Sequence, residues 1–283
     1  MPYELIQPDP VTTGVVFASP HSGRDYPADL RDRTVLRGTA LRSSEDAFMD
    51  LLVADAPRLG APLLIALTPR AYVDLNRAED ELDPALVDGV RQGAHNPRVS
   101  SGLGVIPRVV AGGRAIYSGK LSLGEARRRI DRHWRPYHAA LDDLLRCQRA
   151  RFGSAVLLDC HSMPHEAIEA AAGRGSVPPD VVLGDRFGAS AAGEIMDSVE
   201  AAFQAEGLRV ARNAPFAGAY ISQRYGRPSQ SQHVVQIEID RSLYMDERRL
   251  VPSDRFDDMR ALMTRAMARI VRIGQRDLPM AAE

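Results

Sequence analysis

Two short apolar runs in this chain each stop at a histidine followed by a serine: Val15-Val16-Phe17-Ala18-Ser19-Pro20-His21-Ser22-Gly23 and Val156-Leu157-Leu158-Asp159-Cys160-His161-Ser162-Met163-Pro164. A β-branched run closed by Pro, Gly or Asp reads as a buried strand running into a loop. In open α/β sheets ligands bind beyond the carboxyl ends of the strands, so both histidines stand where chemistry is usually found. They are 140 positions apart. The fold must therefore bring them together, and a shared metal ion is the simplest reason for it to do so. A mononuclear metallo-hydrolase is the first expectation.

The rest of the pattern agrees with a layered α/β chain. Ser43-Ser44-Glu45-Asp46 reads as the start of a helix continuing through Phe48, Leu51, Leu52 and Ala56. Ala61 to Leu67 reads as a strand and Tyr72 to Arg77 as a short extended piece. From Glu79 to Gly113 the pattern loosens into a long surface excursion, with a hairpin expected over Val105 to Val110. Leu121 to Phe152 is the clearest helix, capped by Ser122, with Glu125 completing a capping box and Gly153 ending it. A Gly/Pro loop over Ala172 to Pro179 leads to a strand at Val181 to Gly184. There follow a helix over Ala189 to Glu206, an extended segment over Leu208 to Ala211, a strand over Val234 to Ile239 and an amphipathic helix over Ser253 to Ile273. Strands alternating with helices predict an α/β sheet with helices on both faces. No linker or internal repeat divides the chain, so residues 1–283 read as a single domain.

Composition narrows the partners. The 36 basic and 37 acidic side chains leave a formal charge of -1, so no long-range positive field draws nucleic acid or an anionic membrane. Lys120 is the only lysine, and the remaining cations are arginines, which bind carboxylates bidentately. Cys147 and Cys160 are too few for a disulfide framework and lie in no CxxC pattern, which fits a reducing cytoplasm. No signal peptide or membrane-spanning run is visible. Neither a GxSxG elbow nor a P-loop or GxGxxG motif follows any strand, which leaves serine hydrolysis and nucleotide binding without support.

A catalytic zinc site needs three protein ligands and one open position for a water whose pKa the metal lowers. His21 and His161 supply two. Asp46, or else Glu45, at the adjacent helix start supplies the third, although either acid could equally be a plain helix cap. Such a site also needs a general base on a rigid element. Glu238 sits inside the apolar strand Val234-Val235-Gln236-Ile237-Glu238-Ile239, where a carboxylate is costly unless paired, metal-bound or used. Arg70, Asn76 and Arg77 cluster in one short segment that could hold an acidic small molecule. A His/His/carboxylate set suits Mn, Fe or Co as well as Zn.

These pieces resemble the N-formylglutamate amidohydrolase family. The resemblance rests on Ser19-Pro20-His21-Ser22-Gly23 with Tyr26-Pro27, Asp46 with Asp50, Tyr72 to Arg77, Tyr117-Ser118-Gly119, Trp134 to His138, Leu158 to Met163, Asp180 to Asp185, Pro215 to Ile221 and Gln236 to Ile239, in that order. That family is distantly similar to the zinc carboxypeptidases and aspartoacylases, which implies a three-layer α/β/α fold with a central mixed sheet. It further implies hydrolysis of N-formyl-L-glutamate to formate and glutamate, a step of histidine degradation, or of another N-acyl amino acid or small peptide. A non-catalytic carboxylate-binding protein on the same fold is the more distant alternative. By the same resemblance Arg70 polarises the scissile carbonyl or binds carboxylate, Asn76 and Arg77 bind carboxylate, and Tyr220 closes over the substrate. One position departs from the wider superfamily: Arg24 stands three residues after His21, where those relatives carry a glutamate ligand.

Overall fold

Parallel strands buried on both faces have no solvent side to alternate with, which is why the runs around Val15 and Val156 are apolar throughout. The computed structural model describes residues 1–91, 96–172 and 177–275. Seven strands form its main sheet: β1 (Tyr3–Ile6), β2 (Val15–Ser19), β3 (Leu63–Ala66), β4 (Ala155–Met163), β5 (Val181–Gly184), β6 (Val210–Arg212) and β7 (Gln232–Asp240). Their order is β1-β3-β2-β4-β7-β5-β6. The four central strands β3, β2, β4 and β7 run parallel, while β1 pairs antiparallel with β3 and β5 antiparallel with β7, so the sheet is mixed. Four carboxyl ends therefore open on one edge.

The period of two sorts the strand residues between two cores. Phe17, Leu158, Val235 and Ile237 pack with α4 (Gly193–Gln204) and α6 (Phe256–Ile270). Val16, Ala18, Leu157 and Val234 pack on the opposite face with α1 (Leu123–Arg129), α2 (Arg135–Phe152) and α5 (Tyr220–Tyr225). A sixth helix, α3 (His165–Ala172), follows β4 directly. The result is the expected three-layer α/β/α arrangement. Along β4 the face bearing Leu157 continues into Asp159 and His161, and along β7 the face bearing Val234 continues into Gln236 and Glu238. Each strand is thus apolar where it lies under the helices and polar where it leaves them.

Several local expectations change. The stretch expected to be helical from Ser43 is helical only over Met49–Leu52, because Phe48 adopts a left-handed conformation (φ 66). The Asp46 N–H is instead used by His21 O at 3.0 Å, which ties this stretch to the end of β2 as a loop. Tyr72 to Arg77 is a series of turns, not an extended piece, with Asp74 Oδ1 accepting from Asn76 N at 2.8 Å. No hairpin forms over Val105 to Val110. Val105 O accepts from Asp74 N at 2.8 Å, and only Val109 bridges Ala115. The helix after Ser122 is continuous to Phe152 but contains a π turn over Ile130–Trp134. Ser122 caps it as expected, whereas the Glu125 carboxylate bonds Arg33 and Arg129 and closes no capping box. The Gly/Pro loop expected over Ala172 to Pro179 lies partly outside the described residues. The edge strand β1 has no apolar run to announce it; its half-buried residues become a strand only by pairing with β3.

Candidate active site

Register places the chemistry. Parallel pairing of β4 with β7 sets His161 beside Glu238 and Asp159 beside Gln236. Beyond β2, the Ser19-Pro20-His21-Ser22-Gly23 turn packs so close to β3 that a Cβ on Gly23 would lie 2.2 Å from Thr68 O. Only glycine allows that approach, and it delivers His21 to the same edge. His21, Asp46 and His161 meet there, each buried, with one ligand atom apiece within 4.8 Å of the others.

The orientation of these groups is specific. His21 Nε2 lies 2.7 Å from Asp74 Oδ1. A carboxylate only accepts, so the proton sits on Nε2, and in the neutral ring Nδ1 keeps a lone pair. That Nδ1 is buried without a hydrogen-bond partner, 3.5 Å from Asp46 Oδ2. Two acceptors facing each other in a buried site repel unless a cation lies between them. His161 Nδ1 lies 2.9 Å from the same Asp46 oxygen. Its Nε2 is 3.1 Å from Asp159 Oδ2, a charge contact more than an aligned hydrogen bond, since both Asp159 oxygens lack a hydrogen-bond partner. Each imidazole therefore turns Nδ1 toward Asp46 and Nε2 toward a second carboxylate, the arrangement that fixes metal-ligating histidines. When ionised, the carboxylates of Asp46, Asp74, Asp159 and Glu238 exceed the guanidinium groups bonded to this cluster, those of Arg70 and Arg241, by two charges. The donor set and its charge fit a divalent cation.

The ionisation states follow from the packing. Burial would raise Asp46 and Asp74, but His161 holds Asp46 well below the usual carboxylate range, and Arg70, His21 and Arg77 do the same for Asp74. Burial would lower His161, yet Asp159 and Asp46 push it well above the ordinary imidazole value. A cation would take the place of that proton. Glu238 is pushed up to about 7, chiefly by burial, with His161 opposing and Asp46 adding to the rise. Gln236 Nε2 donates to Glu238 Oε1 at 2.9 Å and fixes its rotamer.

A cavity of about 600 Å³ opens over this cluster. Arg70, Asn76 and Arg77 line one wall. Arg70, which lines the cavity, donates Nε to Asp74 Oδ2 at 3.0 Å, and neither of its Nη groups has a hydrogen-bond partner among the described residues. Arg77 is more constrained: Nε donates to Leu103 O at 2.9 Å and Nη1 to Asn76 O at 2.8 Å. Asn76 accepts from Ile221 N at 2.8 Å and presents Nδ2 to His161 Nε2 at 3.3 Å. Tyr220, expected to close over the substrate, lies half-buried at the start of α5. Its ring packs on Trp134 and His138, at centroid distances of 5.9 and 5.6 Å, while its backbone neighbours Ala219 and Ile221 bond Gln236 and Asn76. Glu45 lies outside the cluster: Arg42 donates to both of its oxygens and Tyr26 donates to Oε1. Arg24, in the position of the missing acid, pairs with Asp50 at 2.9 Å on the surface.

Three residues of the site carried no separate signal in the sequence analysis. Asp74 sat inside a recognised segment but read as part of an extended piece. Asp159 could have been found, because it precedes His161 by two and so shares its strand face. Arg241, whose guanidinium bonds Asp46, follows β7 in an ordinary polar turn and had no local mark.

A mixed-sheet α/β fold carries, at the carboxyl ends of its central strands, a buried His-Asp-His cluster that could hold a metal ion beside a raised carboxyl, the setting of a hydrolase. A sequence model of the N-formylglutamate amidohydrolase family matches residues 13–245. The chain belongs to that family. It is 37% identical to the N-formylglutamate amidohydrolase of Ralstonia eutropha JMP134, whose crystal structure superposes with a TM-score of 0.90 over 96% of this chain and 98% of that one. N-formylglutamate deformylases of Pseudomonas aeruginosa and Pseudomonas putida are 31% and 30% identical, covering 83% and 82% of this chain and the same shares of their own. No helix among the described residues is long and apolar enough to cross a membrane.

Proposed function

We propose that this chain is a metal-dependent amidohydrolase that converts N-formyl-L-glutamate and water to formate and L-glutamate. The substrate is the one named for its relatives, and the catalytic part rests on one observation: two buried imidazoles turn Nδ1 toward a single Asp46 oxygen beside Glu238. His21, Asp46 and His161 would hold a divalent cation, zinc in the first instance, with Mn, Fe or Co suited to the same donors. When bound, such an ion acts as a Lewis acid and brings the pKa of water toward about 7. Glu238 takes a proton from the attacking water and delivers it to the leaving nitrogen, a task suited to a group poised near neutrality. Arg70, with free Nη donors, faces the developing oxyanion or a substrate carboxylate. Asn76 and Arg77 complete the carboxylate wall, and Tyr220 supports it from behind through Trp134 and His138.

The chain would work as one catalytic unit on a small acidic molecule. An exposed Cys147 and a buried Cys160, both free, suit a cytoplasmic location. The test combines metal analysis with hydrolysis of a panel of N-acyl amino acids. Zinc-loaded protein is expected to favour N-formylglutamate and to lose activity on chelation, and E238Q is expected to keep the metal and lose roughly 10²-fold or more in kcat. Near wild-type turnover by E238Q would refute the base assignment, and a different preferred acyl amino acid would refute the substrate.

A further inference from the structure

Asp46 reaches the cluster from a loop, where a carboxylate has freedom to swing between one-oxygen and two-oxygen contact. Its backbone is fixed, since Asp46 N donates to His21 O at 3.0 Å. Its side chain is fixed by a residue from elsewhere in the chain. Arg241 Nη2 donates to Asp46 Oδ1 at 2.9 Å, and the same guanidinium donates from Nε to Ser162 Oγ at 3.1 Å and from Nη2 to Ser162 O at 3.3 Å. Arg241 is buried and sits in the turn that follows β7, three residues after Glu238. Three positions further on, Tyr244 Oη donates to Ala47 O at 3.1 Å, so this turn fastens the Asp46 loop twice.

We propose that Arg241 is a positioning residue for the metal centre: by binding Asp46 Oδ1 and the residue that follows His161, it leaves only Asp46 Oδ2 turned toward His21 and His161. The inference rests on the assignment of these three residues as metal ligands. Its physical basis is the planar fork of guanidinium, which bonds acceptors on two elements at fixed angles. A lysine has the charge but not the fork. With Oδ1 engaged by Arg241, Asp46 would hold an ion through Oδ2. The same side chain couples the loop of Asp46 to the strand ends that carry His161 and Glu238, so three functional residues share one fastening.

The experiment measures zinc affinity by competition with a chromophoric chelator for wild type, R241Q, R241K and S162A, with kcat and KM for N-formylglutamate alongside. R241Q is expected to bind zinc about 10- to 100-fold more weakly and to lose kcat with little change in KM. R241K should fall between R241Q and wild type, and S162A should lose less than R241Q. A merely structural Arg241 would lower the melting temperature and leave the zinc affinity of the folded protein unchanged, which would overturn the proposal. If R241Q does not fold, R241K and S162A carry the test, and both remaining at wild-type zinc affinity would overturn it. Wild-type protein that binds no zinc would defeat the ligand assignment itself, whereas wild type binding zinc no better than R241Q would defeat only the role of Arg241.

Discussion

At the scale of single residues, the adjacent acids Glu45 and Asp46 show how little sequence position says about role. Both are buried, yet Glu45 is paired with Arg42 and accepts a hydrogen bond from Tyr26, and Asp46 faces two imidazoles. The chain turns sharply between them because the Asp46 N–H is used by His21 O. D46N should weaken zinc binding by more than the roughly 10- to 100-fold typical of losing a partner one bond further out. E45Q should leave zinc affinity near wild type while lowering stability by about 1–3 kcal/mol, the cost of a weakened buried ion pair. Chelator competition and denaturant unfolding of the two variants check this, and the reverse pattern would move the third ligand to Glu45. His21, His161 and Glu238 were legible from sequence because each interrupts or ends an apolar run. Arg241 was not, since a polar turn after a strand is the commonest of contexts.

At the scale of elements, the helix that runs into α2 holds the segment Leu75 to Arg77 from behind. Trp134, at the end of the π turn, donates Nε1 to Arg77 O at 2.9 Å, and His138 Nε2 lies 2.9 Å from Leu75 O. His138 Nδ1 is 3.0 Å from Tyr225 Oη, so the same ring also braces α5. Burial lowers His138 from 6.5 to about 3, which keeps it neutral in the folded protein. Below pH 6.5 the unfolded chain takes up a proton that the folded chain refuses, so stability falls as pH drops from 6.5 toward 3, by about 1.4 kcal/mol per pH unit from this group. H138Q should remove that part of the slope while costing about 1–3 kcal/mol at pH 7. Urea unfolding at pH 5, 6 and 7 distinguishes the two, and an unchanged slope would mean that His138 is protonated in the fold. The long amphipathic stripe made this helix plain in the sequence. Its π turn was not plain, because the shift serves a contact with Arg77, 57 positions away.

At the scale of the whole molecule, the site is assembled from parts of the sheet edge that only the folded state brings together. The His161 to Asp46 contact spans 115 positions and the Arg241 to Asp46 contact 195. A cation bound by such a cluster binds the native state and not the unfolded chain, so zinc at 100 times its dissociation constant should add about 2.7 kcal/mol of stability. For a chain of this size that corresponds to a melting temperature roughly 4–5 °C higher with zinc than with chelator. Equal melting temperatures in the two conditions would show that no preformed site exists. The sequence by itself determined the layered α/β class, the central strands and the histidines and glutamate at their ends, because side-chain period and burial are local properties of a strand. Only the tertiary structure decided the strand order that sets His161 beside Glu238, the placing of Asp46 and not Glu45 against the two imidazoles, and the contact of Arg241 with Asp46. Those depend on which distant elements pack together, and no local propensity encodes that.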